Sequence, residues 1–207
     1  MLNYFRRHLT AMSDDSSTYL IAGLGNPGQQ YKNNRHNVGF MLLDRVAERL
    51  QVSFSRLESK ALVTRTKFAD KRIILAKPQT YMNKSGTAVG SLVKYYKLPL
   101  ENIFIAYDDV DLDLGTLRIR SKGGSGGQKG MASVLNVLST QEIARLRIGI
   151  GRPPGRMDAA DYVLQDFSRE EKELLFEVFD RGVEAVLKFV LDGVDEAMNL
   201  YNGSVLE

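Results

Sequence analysis

The sequence contains no cysteine and no tryptophan, and only two histidines and five prolines among its 207 residues. Lack of cysteine excludes a disulfide framework, a thiolate metal site and a cysteine nucleophile; it fits a reducing compartment, and the cytoplasm is the expected location. No apolar run reaches the length of about 18 residues that a membrane-spanning helix needs, so no transmembrane segment and no membrane partner are expected. Charge of one sign is also scarce: Lys and Arg outnumber Asp and Glu by 28 to 25, and a net charge of +3 is too small to announce a nucleic-acid partner by itself. The two histidines restrict imidazole acid–base chemistry to His8 or His36.

The two lie in very different surroundings. His8 sits in an N-terminal stretch, 1–18, in which Arg6 and Arg7 precede Asp14, Asp15, Ser16, Ser17 and Thr18. It has no amphipathic period and no signal-peptide core, and it is expected to be a disordered extension preceding a domain over 19–207. His36 closes a dense run of turn and polar residues, from Gly23-Leu24-Gly25-Asn26-Pro27-Gly28 through Tyr31 to Arg35-His36-Asn37. Imidazole titrates near neutrality, so a histidine in such a loop is the natural candidate for a general base.

Strand and helix signals alternate from Tyr19 onward, which predicts a single α/β domain: a mixed, mostly parallel twisted sheet with helices on both faces. Strands are expected at Tyr19–Gly23, Ala61–Phe68, Arg72–Ala76, Ile103–Tyr107, Thr116–Arg120 at the sheet's edge, and Leu146–Ile150. The second and third of these form a hairpin across Ala69-Asp70-Lys71, and Pro78 argues against the third continuing as a central strand. Val38, Leu42, Val46 and Leu50 repeat at helical spacing after Asn37, an expected N-cap. Further helices are expected at Ser85–Tyr96, Lys129–Leu138, after the capping box of Ser168 and Glu171, and at Val194–Tyr201.

Two glycine-rich segments resemble nucleotide-binding loops and fail on detail. Gly23-Leu-Gly25-Asn-Pro-Gly28 follows a strand as G-x-G-x-x-G should, but Pro27 removes an amide donor and no amphipathic helix begins until after Asn37, too far on to face a pyrophosphate. Gly123-Gly-Ser-Gly-Gly127 lacks the Gly-Lys-Ser/Thr ending of a P-loop, because Gln128 separates Gly127 from Lys129. What remains is a flexible loop with exposed amides, suited to approaching a phosphate chain. Around it fall Arg118, Arg120, Lys122, Lys129, Arg145, Arg147, Arg152 and Arg156, either a surface for an anionic partner or a solvated basic face.

The acids Asp108, Asp109, Asp111 and Asp113 admit two readings, a metal cluster for phosphoryl chemistry or a turn. Asp108 is separable from the rest. At the C-terminal end of a buried strand it faces the crevice where open α/β sheets bind ligands, in position to orient the His36 imidazole and stabilise its protonated form. Thr80-Tyr81-Met82-Asn83 joins a strand to a helix and offers, with Asn26, a second carboxamide near the strand ends.

Taken together, four motifs resemble the bacterial-type peptidyl-tRNA hydrolase family: Gly-Leu-Gly-Asn26-Pro-Gly with Tyr31 and Arg35-His36-Asn37; Thr80-Tyr81-Met82-Asn83-Lys-Ser-Gly; Tyr107-Asp108-Asp109-Val-Asp-Leu; and Arg145-Leu-Arg147-Ile-Gly-Ile-Gly. The resemblance runs from about Tyr19 to the C-terminal helices. It implies a metal-free, cofactor-free esterase that cleaves the ester between a peptide, or an N-blocked aminoacyl group, and the 3′-terminal ribose of tRNA. By that similarity His36 is the general base, Asp108 its partner, and Asn26 helps tell blocked from free aminoacyl-tRNA. Tyr31, Tyr81, Met82, Asn83 and Lys129 would contact substrate, and Arg120, Lys122 and Arg147 would contact RNA. A monomer is expected.

One departure stands out. Where the family has Gly-Gly-His-Asn-Gly, this chain has Gly126-Gly127-Gln128-Lys129-Gly130, and the change is expected to alter substrate contact rather than base catalysis. It also keeps open an alternative, an RNA-binding or RNA-processing relative on the same scaffold with weak or no hydrolase activity.

Overall fold

The structure is a computed structural model and describes residues 17–206. Its strands are β1 (Thr18–Gly23), β2 (Arg56–Glu58), β3 (Ala61–Phe68), β4 (Lys71–Pro78), β5 (Ile103–Asp109), β6 (Thr116–Arg120), β7 (Ala144–Gly149) and β8 (Gly203–Ser204). Its helices are α1 (Val38–Arg49), α2 (Ser85–Tyr96), α3 (Lys129–Leu138), α4 (Ala159–Tyr162), α5 (Arg169–Asp192) and α6 (Val194–Tyr201). Thr18, expected to lie in the N-terminal extension, instead opens β1: it pairs with Arg72, and the Ser17 carbonyl accepts from the Arg72 amide. His8 and the rest of 1–16 lie outside the described residues.

One sheet, in the order β2-β3-β4-β1-β5-β7-β6-β8, forms the middle layer. Its four central strands, β4, β1, β5 and β7, are parallel, and antiparallel strands flank them on both sides. Alternation along the central strands divides the core in two. Ile21, Phe104, Ala106, Leu146 and Ile148 point to the face covered by α1, α5 and α6; Leu20, Ala22, Ile103, Ile105 and Tyr107 point to the face covered by α2 and α3. Both faces are buried, so the centre of the sheet reads as continuous apolar runs rather than as alternation with polar residues.

Two expectations about strand placement change. β4 is an interior strand and includes Pro78, but its pairing with β1 ends at Ala76, and Pro78 has only Ala61 of β3 beside it, where a missing amide costs no ladder bond on the β1 side. β6 is not the outermost strand. Thr116 and Leu117 pair with Ser204 and Gly203, and the Asn202 carboxamide then bonds both the amide and the carbonyl of Ile119, completing the cover of an otherwise open edge.

The chain runs from β1 to β4 on one side and from β4 back across to β5 on the other, so the strand order reverses at β1, where ligands bind in open α/β sheets. At that point α1 approaches the sheet unusually closely. A Cβ on Gly39 would lie 2.5 Å from the Ala106 carbonyl and 2.6 Å from that of Leu24, and one on Gly23 would lie 2.2 Å from the Gly39 carbonyl. No larger residue fits at either position without moving backbone, and this contact brings the residues just before α1 over the end of β5.

Candidate functional site

The loop after β1 is held by one asparagine acting on another. Asn37 stands at the N-cap position of α1 but makes no capping bond, contrary to the expectation. A 3-10 turn, Arg35–Asn37, leads directly into the helix, and the Asn37 side chain turns to the β1 loop instead. Its Oδ1 accepts from the Asn26 amide at 2.8 Å, and its Nδ2 donates to the Asn26 carbonyl at 2.9 Å, all in a buried setting. The Asn26 Oδ1 in turn accepts from the Met82 amide at 2.8 Å. That bond fixes the carboxamide: its acceptor is occupied, and what Asn26 offers the adjoining cavity is its Nδ2 donor.

A second clamp holds the far side of the same loop. The buried Arg35 guanidinium lies 4.4 Å from the Tyr162 ring centroid and 5.2 Å from that of Phe167, pairs through Nη2 with both carboxylate oxygens of Glu171, and donates to the Asp166 carbonyl. Glu171 also completes the capping box that Ser168 begins, so the start of α5 is tied to the residue preceding His36. The His36 amide donates to the Val163 carbonyl at 2.8 Å.

Held from both sides, His36 meets Asp108 across 72 residues of chain: Nδ1 and Oδ2 are 2.7 Å apart, with side-chain exposures of 14% and 3%. A carboxylate only accepts, so the proton is on Nδ1, leaving the Nε2 lone pair for another partner. The second carboxylate oxygen of Asp108 accepts from Gln128 Nε2 at 2.9 Å. Gln128 also caps α3, its Oε1 accepting from the Met131 amide at 2.6 Å. The change from His-Asn to Gln-Lys, expected to touch substrate contacts only, therefore reaches the imidazole–carboxylate pair itself, and the pair remains hydrogen-bonded on both sides.

Above this pair opens a cavity of about 500 Å³. Of the expected site residues, Asn26, His36, Tyr81, Met82, Asn83, Asp108 and Lys129 line it. Tyr31 does not: it ends a 3-10 turn, Gln29–Tyr31, outside the lining. Gln128 and an apolar wall of Val163 and Leu164 beside α4 also line it, and neither was expected there. A glutamine after a glycine run and a four-residue helix carry no periodic signal; for Asn37 the clue was available, a carboxamide directly after the histidine, but helix capping was the simpler reading.

The basic residues sort into structural and free ones. Arg118 faces Arg147 and Arg120 faces Arg145 across β6 and β7, so four guanidinium groups share one side of the sheet. Arg145 is 1% exposed and spends its donors on the carbonyls of Ile143, Gly123, Gly124 and Gln141, holding the glycine-rich loop at its base. Burial pushes its pKa below the ordinary arginine value, while Tyr107 beside it pulls the other way. Burial likewise pushes the Tyr107 phenol up to about 12, against the pull of Arg145 and Arg147. Arg147 pairs with Asp109; partial burial opposes its charge, but the carboxylate raises its pKa on balance. Arg118, Arg120, Lys122 and Lys129 make no side-chain bond or ion pair among the described residues. The remaining acids form a turn, with the Asp111 amide donating to Asp109 and Arg152 pairing with Asp111. Among the described residues no group of three or more His, Asp or Glu is placed to hold a metal ion, and no helix is long and apolar enough to cross a membrane.

The chain is similar in sequence and in fold to proteins of known kind. The chain is 47% identical over 185 residues to a peptidyl-tRNA hydrolase of Thermoanaerobacter sp. (strain X514), covering 89% of this chain and 100% of that one. It is 48% identical over 185 residues to a mitochondrial peptidyl-tRNA hydrolase of Oryza sativa subsp. japonica, covering 89% of this chain and 74% of that one. A crystal structure of peptidyl-tRNA hydrolase from Acinetobacter baumannii superposes with a TM-score of 0.85 at 32% identity, covering 91% of this chain and 96% of that one. A family model described as peptidyl-tRNA hydrolase matches residues 20–207, nearly the whole domain built around His36 and Asp108. With fold, relatives and the resemblance of its four motifs in agreement, the chain belongs to the peptidyl-tRNA hydrolase family.

Proposed function

We propose that this chain hydrolyses the ester between a peptide, or an N-blocked aminoacyl group, and the 3′-terminal ribose of tRNA, with His36 as general base. The observation that carries this reading is the 2.7 Å contact of His36 Nδ1 with the buried Asp108 carboxylate at a cavity wall, which leaves Nε2 free to take a proton. Water loses a proton to Nε2 and its oxygen attacks the ester carbonyl; Asp108 stabilises the imidazolium as it forms. The oxyanion of the tetrahedral intermediate is met by the Asn26 Nδ2 donor, preset by the Met82 amide. The imidazolium then returns the proton to the departing 3′ oxygen as the C–O bond breaks, giving free tRNA and a peptide carboxylic acid that loses its remaining proton to solvent. A positioned general base contributes roughly 10²–10⁴-fold, so the carboxamide donor and tight placement of substrate supply the remainder.

Tyr81, Met82, Asn83 and Lys129 line the cavity where the peptide and terminal nucleotide would lie, and Tyr31 would act from outside it. The cations Arg118, Arg120 and Lys122, unpaired among the described residues, favour an electrostatic contact with tRNA phosphates, with Arg147 held in place beside them by Asp109. We place the protein in the cytoplasm, as a monomer that uses neither metal nor cofactor. The test is release of free tRNA from N-acetyl-aminoacyl-tRNA by the purified protein in the presence of chelator, with the unblocked aminoacyl-tRNA spared. Failure to cleave the blocked substrate would refute the reading.

A further inference from the structure

We infer that Gln128 is a positioning residue for the reaction, transmitting the fixed start of α3 to the Asp108–His36 pair. The inference rests on the reading of His36 as the base. Its carboxamide bridges two groups of opposite demand. Met131 presents an amide that can only donate, and Asp108 a carboxylate that only accepts, so Oε1 must face the first, at 2.6 Å, and Nε2 the second, at 2.9 Å. The amide cannot be flipped without breaking both bonds. Nε2 also lies 3.2 Å from the Met82 thioether, and Gly130 beside it has no room for a Cβ, which would stand 2.3 Å from the same sulfur and 3.0 Å from Gln128 Oε1. Met82 and Gly130 thus pack the bridge against the protein, while its other side faces the cavity.

For Asp108 the consequence is geometric and electrostatic. With Oδ1 bonded to Gln128 and Oδ2 to His36, the plane of a nearly buried carboxylate is set from both ends, and the imidazole orientation follows from that plane. A neutral amide donor stabilises the carboxylate without neutralising its charge, so Asp108 keeps a full negative charge for the imidazolium that forms during turnover. Glutamine does not titrate, so the bridge brings no ionisable group of its own to the pair.

The test is the pH dependence of kcat and KM on an N-blocked aminoacyl-tRNA for the wild type, Gln128→Glu, Gln128→Ala and Gln128→His, with thermal unfolding of each and with His36→Ala assayed in parallel. Gln128→Glu keeps an acceptor for the Met131 amide and so preserves the cap, while replacing the donor to Asp108 with a second acid. Its kcat is expected to fall about tenfold or more with KM within about twofold, because a misaligned supporting group costs rate rather than binding. The acid limb of its profile is expected to move to higher pH, because added negative charge favours the imidazolium. Gln128→Ala is expected to lose kcat as well, and Gln128→His, which returns an N–H donor, to recover most of the loss while adding an ionisation to the acid limb. An unmoved acid limb in Gln128→Glu with kcat within twofold of wild type would overturn the inference; so would losses that follow melting temperature alone. Retained activity in His36→Ala would instead overturn the assignment of the base, and the role of Gln128 with it.

Discussion

Two loops converge on Asp108 and are built in opposite ways. The loop from Asn26 to Asn37 is tied down along its length: Asn37 clamps the Asn26 backbone, Met82 fixes the Asn26 carboxamide, and Arg35 anchors the far end to α5. The loop from Gly123 to Gly127 is gripped only at its base, where the buried Arg145 collects its carbonyls, and its tip holds Gly126 and Gly127 at φ of 60° and 83° with little packed against them. The difference separates two jobs. Groups that move protons must be held within a few tenths of an ångström, so their loop is over-determined. The second loop, anchored below and open above, suits the tRNA contact proposed beside it, which needs accessible backbone and cations.

The sharpest way to break this contrast is to loosen the rigid loop. Asn37→Ala strips the Asn26 amide and carbonyl of their buried partners, and a stability loss of about 1–3 kcal/mol is expected. It should also lower kcat by about tenfold or more, since the carboxamide donor is no longer aimed. Denaturant unfolding and steady-state kinetics on one preparation check both. A Tm and kcat equal to wild type would show that the clamp is idle.

Arg145→Leu makes the complementary cut, beneath the open loop. Carbonyls of Gly123, Gly124, Gln141 and Ile143 lose a buried charged donor, and about 2–3 kcal/mol of stability should go with it. KM for a tRNA substrate is expected to rise more than kcat falls. A loss confined to kcat would mean that this loop, too, positions the reacting groups.

The last effect, absent near neutrality and confined to alkaline pH, concerns the base of that loop. Tyr107 lies under the loop with its pKa raised to about 12 by burial, against an ordinary value of 10.0. A raised folded-state pKa means that the folded protein holds its proton more tightly than the unfolded chain. The contribution is full below about pH 10 and is lost as pH climbs through about 12, amounting to roughly 2–3 kcal/mol in all. Stability measured across that window should slope downward, and Tyr107→Phe should flatten the slope. A slope unchanged by the substitution would place the alkaline sensitivity elsewhere.

Much of this architecture was legible in the residue pattern. The bounds of α2, α3 and α6, the hairpin of β3 and β4 and the capping box of α5 all follow from periodicity or local chemistry, which act within a few residues. His36, Asp108 and Asn26 were legible because scarcity and position at strand ends singled them out. Others were hidden for physical reasons. β2 and β8 have three and two residues, too few to show alternation. The Arg35 anchor spans 136 residues to Glu171, and no local signal reports such a pairing. Gln128 looked like a lost histidine because its value lies in what it touches, a carboxylate 20 residues earlier and an amide three residues later.

The central claim is that an imidazole aligned by Asp108 removes a proton from water, and kcat for N-blocked aminoacyl-tRNA in wild type and His36→Ala measures it most directly. His36→Ala is expected to lose on the order of 10²–10⁴-fold in kcat with the thermal transition preserved. Turnover by a folded His36→Ala protein within a few-fold of wild type would contradict it.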